Sequence, residues 1–118
     1  MSKSPKPVAI NLHKQSRRLD IEFEDGNRFE YSCEFLRVYS PSADVRGHGP
    51  GQEVLQTGKQ KVNIDNIEPV GNYAIKLHFD DGHQTGIYSW TYLYDLGKNM
   101  HRYWTEYLEK LKQAGYSR

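Results

Sequence analysis

Apolar and polar residues alternate in three stretches of the chain. Val8-Ala9-Ile10-Asn11-Leu12 alternates in part, Leu19-Asp20-Ile21-Glu22-Phe23 strictly, and Tyr73-Ala74-Ile75-Lys76-Leu77-His78-Phe79 over the longest run. A period of two puts the apolar side chains of a strand on one face, so each stretch predicts a strand with one buried side. Asp25-Gly26 follows the second stretch and Asp81-Gly82 the third. Asp-Gly after such a run predicts a tight hairpin, because glycine accepts the positive φ of the turn. The returning strands are Phe29-Glu30-Tyr31 and Gly86-Ile87-Tyr88. Val62-Asn63-Ile64 and Ile67-Glu68-Pro69-Val70 predict further extended structure on either side of a turn.

From Ser89 onward the period becomes helical. Leu93, Leu96, Met100, Trp104, Tyr107 and Leu111 follow at steps of three and four and are expected to face the sheet. Gly97 interrupts this run at a cost of about 1 kcal/mol relative to alanine, and predicts a kink or a break between two helices. Ser32 is placed to cap a short helix over residues 33–37. The fold class expected is α+β: antiparallel β hairpins packed against a long C-terminal helix. Residues 1–7, polar with two prolines, read as a flexible tail, residues 8–115 as a single domain and residues 116–118 as a tail.

Two stretches echo each other. Ile21-Glu22-Phe23-Glu24-Asp25-Gly26 precedes Tyr31-Ser32-Cys33-Glu34-Phe35-Leu36, and Leu77-His78-Phe79-Asp80-Asp81-Gly82 precedes Tyr88-Ser89-Trp90-Thr91-Tyr92-Leu93. Either a hairpin–helix unit used twice or a coincidence of common Asp-Gly turns and serine caps accounts for this order.

At 118 residues the chain has room for one domain and none for a separate cofactor domain. Aromatic residues make up 13%, so rings are expected to dominate a small core. Sixteen Lys and Arg against fifteen Asp and Glu leave a net charge of +1, without the basic excess of general nucleic-acid binding. The lone Cys33 excludes an internal disulfide, and no apolar run approaches the roughly 20 residues that span a bilayer. The polar N-terminus lacks the apolar core of a secretory signal, so a cytoplasmic protein with no membrane partner is expected.

Candidate chemistry is sparse. His78 and Asp80 share the His-x-acid spacing of non-haem iron sites, and i and i+2 on a strand point the same way. A small iron-dependent enzyme using His78 and Asp80 with His48 or His83 is therefore one reading. The competing reading is a solvated strand face, since Glu22-Phe23-Glu24 holds the same place in the first echo. Residues 41–58 contain Pro41, Pro50 and four glycines and read as a long loop. Arg46, His48, Gly49 and Gly51 are its candidate interaction residues, and its Gly47–Gly51 portion is expected to be the most mobile interior segment. Nothing matches a nucleophile elbow or a phosphate-binding loop. Cys33 is expected to be packed rather than reactive.

Leu36-Arg37-Val38-Tyr39-Ser40-Pro41-Ser42-Ala43-Asp44-Val45, with Asp81-Gly82-His83 and Tyr88-Ser89-Trp90-Thr91-Tyr92-Leu93, resembles the gamma-butyrobetaine hydroxylase-like N-terminal domain family, which includes small bacterial proteins of unknown function. The resemblance implies a domain that precedes an iron- and 2-oxoglutarate-dependent oxygenase domain in the hydroxylases. It also occurs joined to P-loop ATPases of iron–sulfur cluster assembly. It further implies a structural zinc site built from Cys-Pro-Cys-x-x-Cys and a histidine after the second hairpin turn. Here those positions read Ser40, Ser42 and Val45, and His83 alone is kept. Thiolates supply most of the affinity of such a site, so a degenerate site with no metal and no other cofactor is expected. The reading is a non-catalytic interaction domain, accessory to iron–sulfur or other metal-related metabolism by resemblance. An unidentified protein partner, an iron–sulfur assembly factor by analogy, is its expected counterpart.

Overall fold

In the computed structural model, which describes residues 5–46 and 54–116, the alternating stretches form two three-stranded antiparallel sheets. The first has the order β1 (Pro7–His13), β2 (Arg18–Phe23), β3 (Arg28–Ser32); the second has β4 (Ile64–Val70), β5 (Ala74–Phe79), β6 (Ile87–Ser89). Each third strand runs directly into a helix, α1 (Cys33–Val38) after β3 and α3 (Trp90–Lys98) after β6. The short α2 (Ala43–Arg46) follows α1, inside the stretch read from sequence as loop, and α4 (Met100–Gln113) ends the fold.

The α+β class agrees with the sequence, and the local reasons are the expected ones. Gly26 and Gly82 adopt φ of 90° and 91° in the two Asp-Gly turns. In both turns the aspartate accepts from the amide two residues on, Asp25 from Asn27 at 3.0 Å and Asp81 from His83 at 3.1 Å. Ser32 Oγ accepts from Phe35 N at 3.0 Å and Ser89 Oγ from Tyr92 N at 3.1 Å, caps worth about 1 kcal/mol each.

The echo is thus a structural repeat, and it covers three strands and a helix in each half. β1 and β4 are both seven residues long, β2 and β5 both six, and both first strands begin with a register irregularity. Cross-links between the halves are reciprocal. Tyr31 OH donates to Leu93 O at 2.6 Å, and Tyr88 OH donates to Leu36 O at 2.5 Å. The two tyrosines hold matching places in the echo, as do the two leucines, so the halves exchange equivalent bonds as a pseudo-twofold relation requires. Leu19, Ile21, Phe23 and Tyr31 from one sheet and Ile75, Leu77, Phe79 and Tyr88 from the other form one core with Leu36, Leu93 and Leu96.

Three details differ from the sequence reading. Residues 64–70 are one strand, with an irregularity between Ile64 and Asn66 where a turn was expected. Pro69 is tolerated there because β4 is an edge strand. The helical break lies at Asn99, whose side chain donates to Asp95 O at 3.1 Å, and not at Gly97. Gly97 serves packing instead: a Cβ there would lie 2.3 Å from Cδ2 of Phe29. Of the expected core stripe, Leu93, Leu96, Tyr107 and Leu111 are buried, while Met100 and Trp104 are half-buried. Trp104 stands edge-on to Phe35 of α1 at 6.2 Å between centroids, at the rim of the core.

Candidate functional site

The end of α1, the turn into α2 and the tip of the β5–β6 hairpin meet at one place. Ser40, fully buried, shares a 2.8 Å hydrogen bond between its Oγ and His83 Nε2, and Ser42 N donates to the same Oγ at 3.3 Å. Val45 is buried one turn further on, its amide bonded to Ser42 O at 3.1 Å. The sequence-predicted positions Ser40, Ser42, Val45 and His83 are therefore brought together. Gly86 permits the approach, since a Cβ there would lie 2.4 Å from Ser40 Oγ.

Around them is an ionic frame that the sequence did not reveal. Arg37 Nε and Lys59 Nζ each donate to Asp81 Oδ2 at 2.8 Å. Burial by itself raises the pKa of Asp81, but bonds from Lys59, the His83 amide and Arg37 outweigh it and hold the carboxyl at about 2. His83 is shifted the other way from a cation's advantage: burial, then the nearby Arg37 charge, lower its pKa and favour the neutral ring. Asp44 accepts from Thr85 Oγ1 at 2.9 Å, a second tie between α2 and the hairpin. Arg37 and Asp81 both lie in stretches that carry the resemblance, but their pairing across 44 residues was not legible in the sequence.

These residues do not fit a zinc ion. Val45 offers no donor atom, Ser40 and Ser42 offer neutral hydroxyls, and the one imidazole nitrogen facing them is already bonded to Ser40. Among the described residues, no three His, Cys, Asp or Glu side chains gather as a metal site would need.

The other candidates lie apart. His78 is held between Glu68 and Gln84, each 2.9 Å from a ring nitrogen, while Asp80 Oδ1 accepts from Asn63 N at 3.0 Å. Among the described residues the two share no side-chain hydrogen-bond partner. Arg46 folds back on α1, its Nη2 3.2 Å from Val38 O and its guanidinium 5.4 Å from the centre of the Tyr39 ring. His48, Gly49 and Gly51, and the Gly47–Gly51 mobility expectation, lie outside the described residues. Cys33 is fully buried, its Sγ 3.7 Å from Asn63 Oδ1, and burial pushes the thiol up to about 11.

The model of the family described as gamma-butyrobetaine hydroxylase-like, N-terminal, matches residues 10–94. The chain belongs to this family. The match begins within β1 and ends within α3, so it takes in both halves of the repeat and the Ser40–His83 junction. Two proteins with NMR solution structures are similar to this family member over nearly its whole length. One is 54% identical with a TM-score of 0.84, covering 100% of this chain and 88% of its own. The other is 46% identical with a TM-score of 0.84, covering 98% of this chain and 91% of its own. A crystallised protein of unknown function from Acidithiobacillus ferrooxidans, of the DUF971 family, is 35% identical with a TM-score of 0.68, covering 82% of this chain and 98% of its own. No curated protein matches. In this gamma-butyrobetaine hydroxylase-like N-terminal domain, the junction is joined by a Ser–His hydrogen bond and an Arg–Asp–Lys frame.

Proposed function

We propose that this domain is a non-catalytic protein-interaction module that carries no metal or other cofactor. The observation that supports this reading is the use of polar groups at the junction. Ser40 bonds His83, Arg37 and Lys59 bond Asp81, and Asp44 bonds Thr85, while among the described residues Arg37 Nη1 and Ser42 Oγ are buried without a hydrogen-bond partner. A reactive centre keeps a nucleophile or base open to substrate; this junction instead clamps the 40–46 segment onto the β5–β6 tip. The family resemblance makes an iron–sulfur assembly factor the candidate partner. No helix among the described residues is long and apolar enough to cross a membrane, in keeping with a partner met in an aqueous compartment.

The test pairs elemental analysis of the purified protein with affinity capture on the full chain. The expected result is folded protein without stoichiometric iron or zinc and one protein retained at near-equal amount. Stoichiometric iron lost on replacing His78 and Asp80 would overturn the reading in favour of the small iron enzyme.

A further inference from the structure

The two halves of the fold expose equivalent edge strands, and the sequence treats them differently. β4 carries Asp65, Glu68 and Pro69 among its seven residues. Charges and proline are what natural edge strands use to prevent pairing with another chain. β1 has Pro7 at its first position and His13 at its last, but no Asp, Glu, Lys or Arg, and from Val8 to Leu12 neither charge nor proline. Its strand partner is β2 alone, and among the described residues no other backbone hydrogen bond involves residues 8–13. No residue of β1 is fully buried, and Val8 is 62% exposed.

The space beside the two edges also differs. Next to β4, Asn63 Nδ2 donates to Lys14 O at 2.9 Å and Arg17 Nε to Lys61 O at 3.1 Å, tying the approach to that strand onto the β1–β2 turn. Next to β1, an open cavity of about 540 Å³ lies between residues 6–10 and the pair Asn72 and Trp90. The indole N–H of Trp90 donates to Asn72 O at 2.9 Å, which holds the ring as a fixed wall.

We propose that the β1 edge takes up an extended peptide segment of a partner protein as an added strand. The segment places a large apolar side chain in the Trp90 cavity and acidic residues near its ends. The proposal rests on the interaction-module reading and names its surface. Main-chain hydrogen bonds to an unpaired edge supply affinity in such complexes, and alternate side chains supply selectivity. Charge decides between a peptide and a second copy of this chain. Lys6 and Lys14 are exposed just beyond the two ends of β1, and among the described residues neither forms an ion pair. Antiparallel pairing of two β1 strands centred on Ile10 would set Lys6 against Lys14 at both ends, an unfavourable arrangement of like charges. An acidic-ended peptide meets both.

The experiment selects phage-displayed random dodecapeptides on the full chain, then titrates the synthetic form of an enriched sequence into ¹⁵N-labelled protein. Enriched sequences are expected to alternate apolar residues and to carry Asp or Glu near their ends. Amide shifts should concentrate on residues 8–13 and the Trp90 indole. Val8→Asp, at a position exposed enough to spare the core, should weaken binding about tenfold or more by placing a charge on the edge. The pair Lys6→Glu and Lys14→Glu should do the same. No enrichment, shifts centred on α4 and residues 54–56, or binding indifferent to Val8→Asp would each overturn the edge assignment. So would concentration-dependent shifts along β1 without peptide, which would make a second copy the occupant. A protein captured by the full chain and equally by the Val8→Asp variant would leave the interaction module standing and remove only this surface.

Discussion

Tyr31 and Tyr88 make equivalent bonds, yet removing their hydroxyls should not cost the same. Tyr88 is fully buried and donates to Leu36 O near the end of α1. The amide four residues on, that of Ser40, goes to Arg37 O instead, so among the described residues no backbone N–H serves Leu36 O. Tyr88→Phe therefore leaves a buried carbonyl without a donor, at a cost of about 2–3 kcal/mol. Tyr31 donates to Leu93 O, which lies inside α3 and has the Gly97 amide as its helical donor. Tyr31→Phe removes a second bond from an acceptor that keeps its first, and about 1 kcal/mol is expected. Urea unfolding followed by tryptophan fluorescence, with common slopes, gives both differences. Equal losses, or a larger loss for Tyr31→Phe, would refute the argument that the unserved carbonyl sets the cost.

Four further outcomes are expected. Gly97→Ala should destabilise although helix propensity favours alanine by about 1 kcal/mol: the new Cβ would sit 2.3 Å from Phe29, and overpacking of that kind costs about 1–3 kcal/mol. The combination with Phe29→Leu should recover part of the loss in a thermal melt. Asp81, held at about 2 against 3.8 in the unfolded chain, contributes stability that is full above pH 4 and lost as pH falls toward 2. With its side chain 23% exposed, about 1–2 kcal/mol is expected, and Asp81→Asn should flatten that acid limb of a stability–pH curve. His83, lowered from 6.5, adds a loss that begins as pH falls through 6.5, and His83→Gln should remove it. A chelator should leave the melting temperature unchanged, and a large drop would reveal a metal that the Ser40, Ser42, Val45 and His83 junction does not account for.

The sequence by itself determined most of the strands, the two Asp-Gly turns and the serine caps, because each depends on residues within a few positions of one another; it showed the echo without deciding that it is a repeat. Alternation sets which side chains share a face, Gly26 and Gly82 meet a local demand for positive φ, and Ser32 and Ser89 reach amides three residues on. Only the tertiary structure decided what joins the halves. The place of Gly97 under Phe29, the break at Asn99, the reciprocal tyrosine bonds and the Arg37–Asp81–Lys59 frame all depend on how one half lies against the other or on helix–helix packing. Ser40 and His83 were legible as positions, and their bond was not, since 43 residues separate them and packing alone sets their distance. The same holds for the open edge: alternation marks β1 and β4 alike as strands, whereas the cavity between β1 and the pair Asn72 and Trp90 follows from the fold. Local hydrogen bonds and side-chain period act over one turn or one hairpin and can be read along the chain; contacts across a pseudo-twofold interface are selected by burial of the whole core.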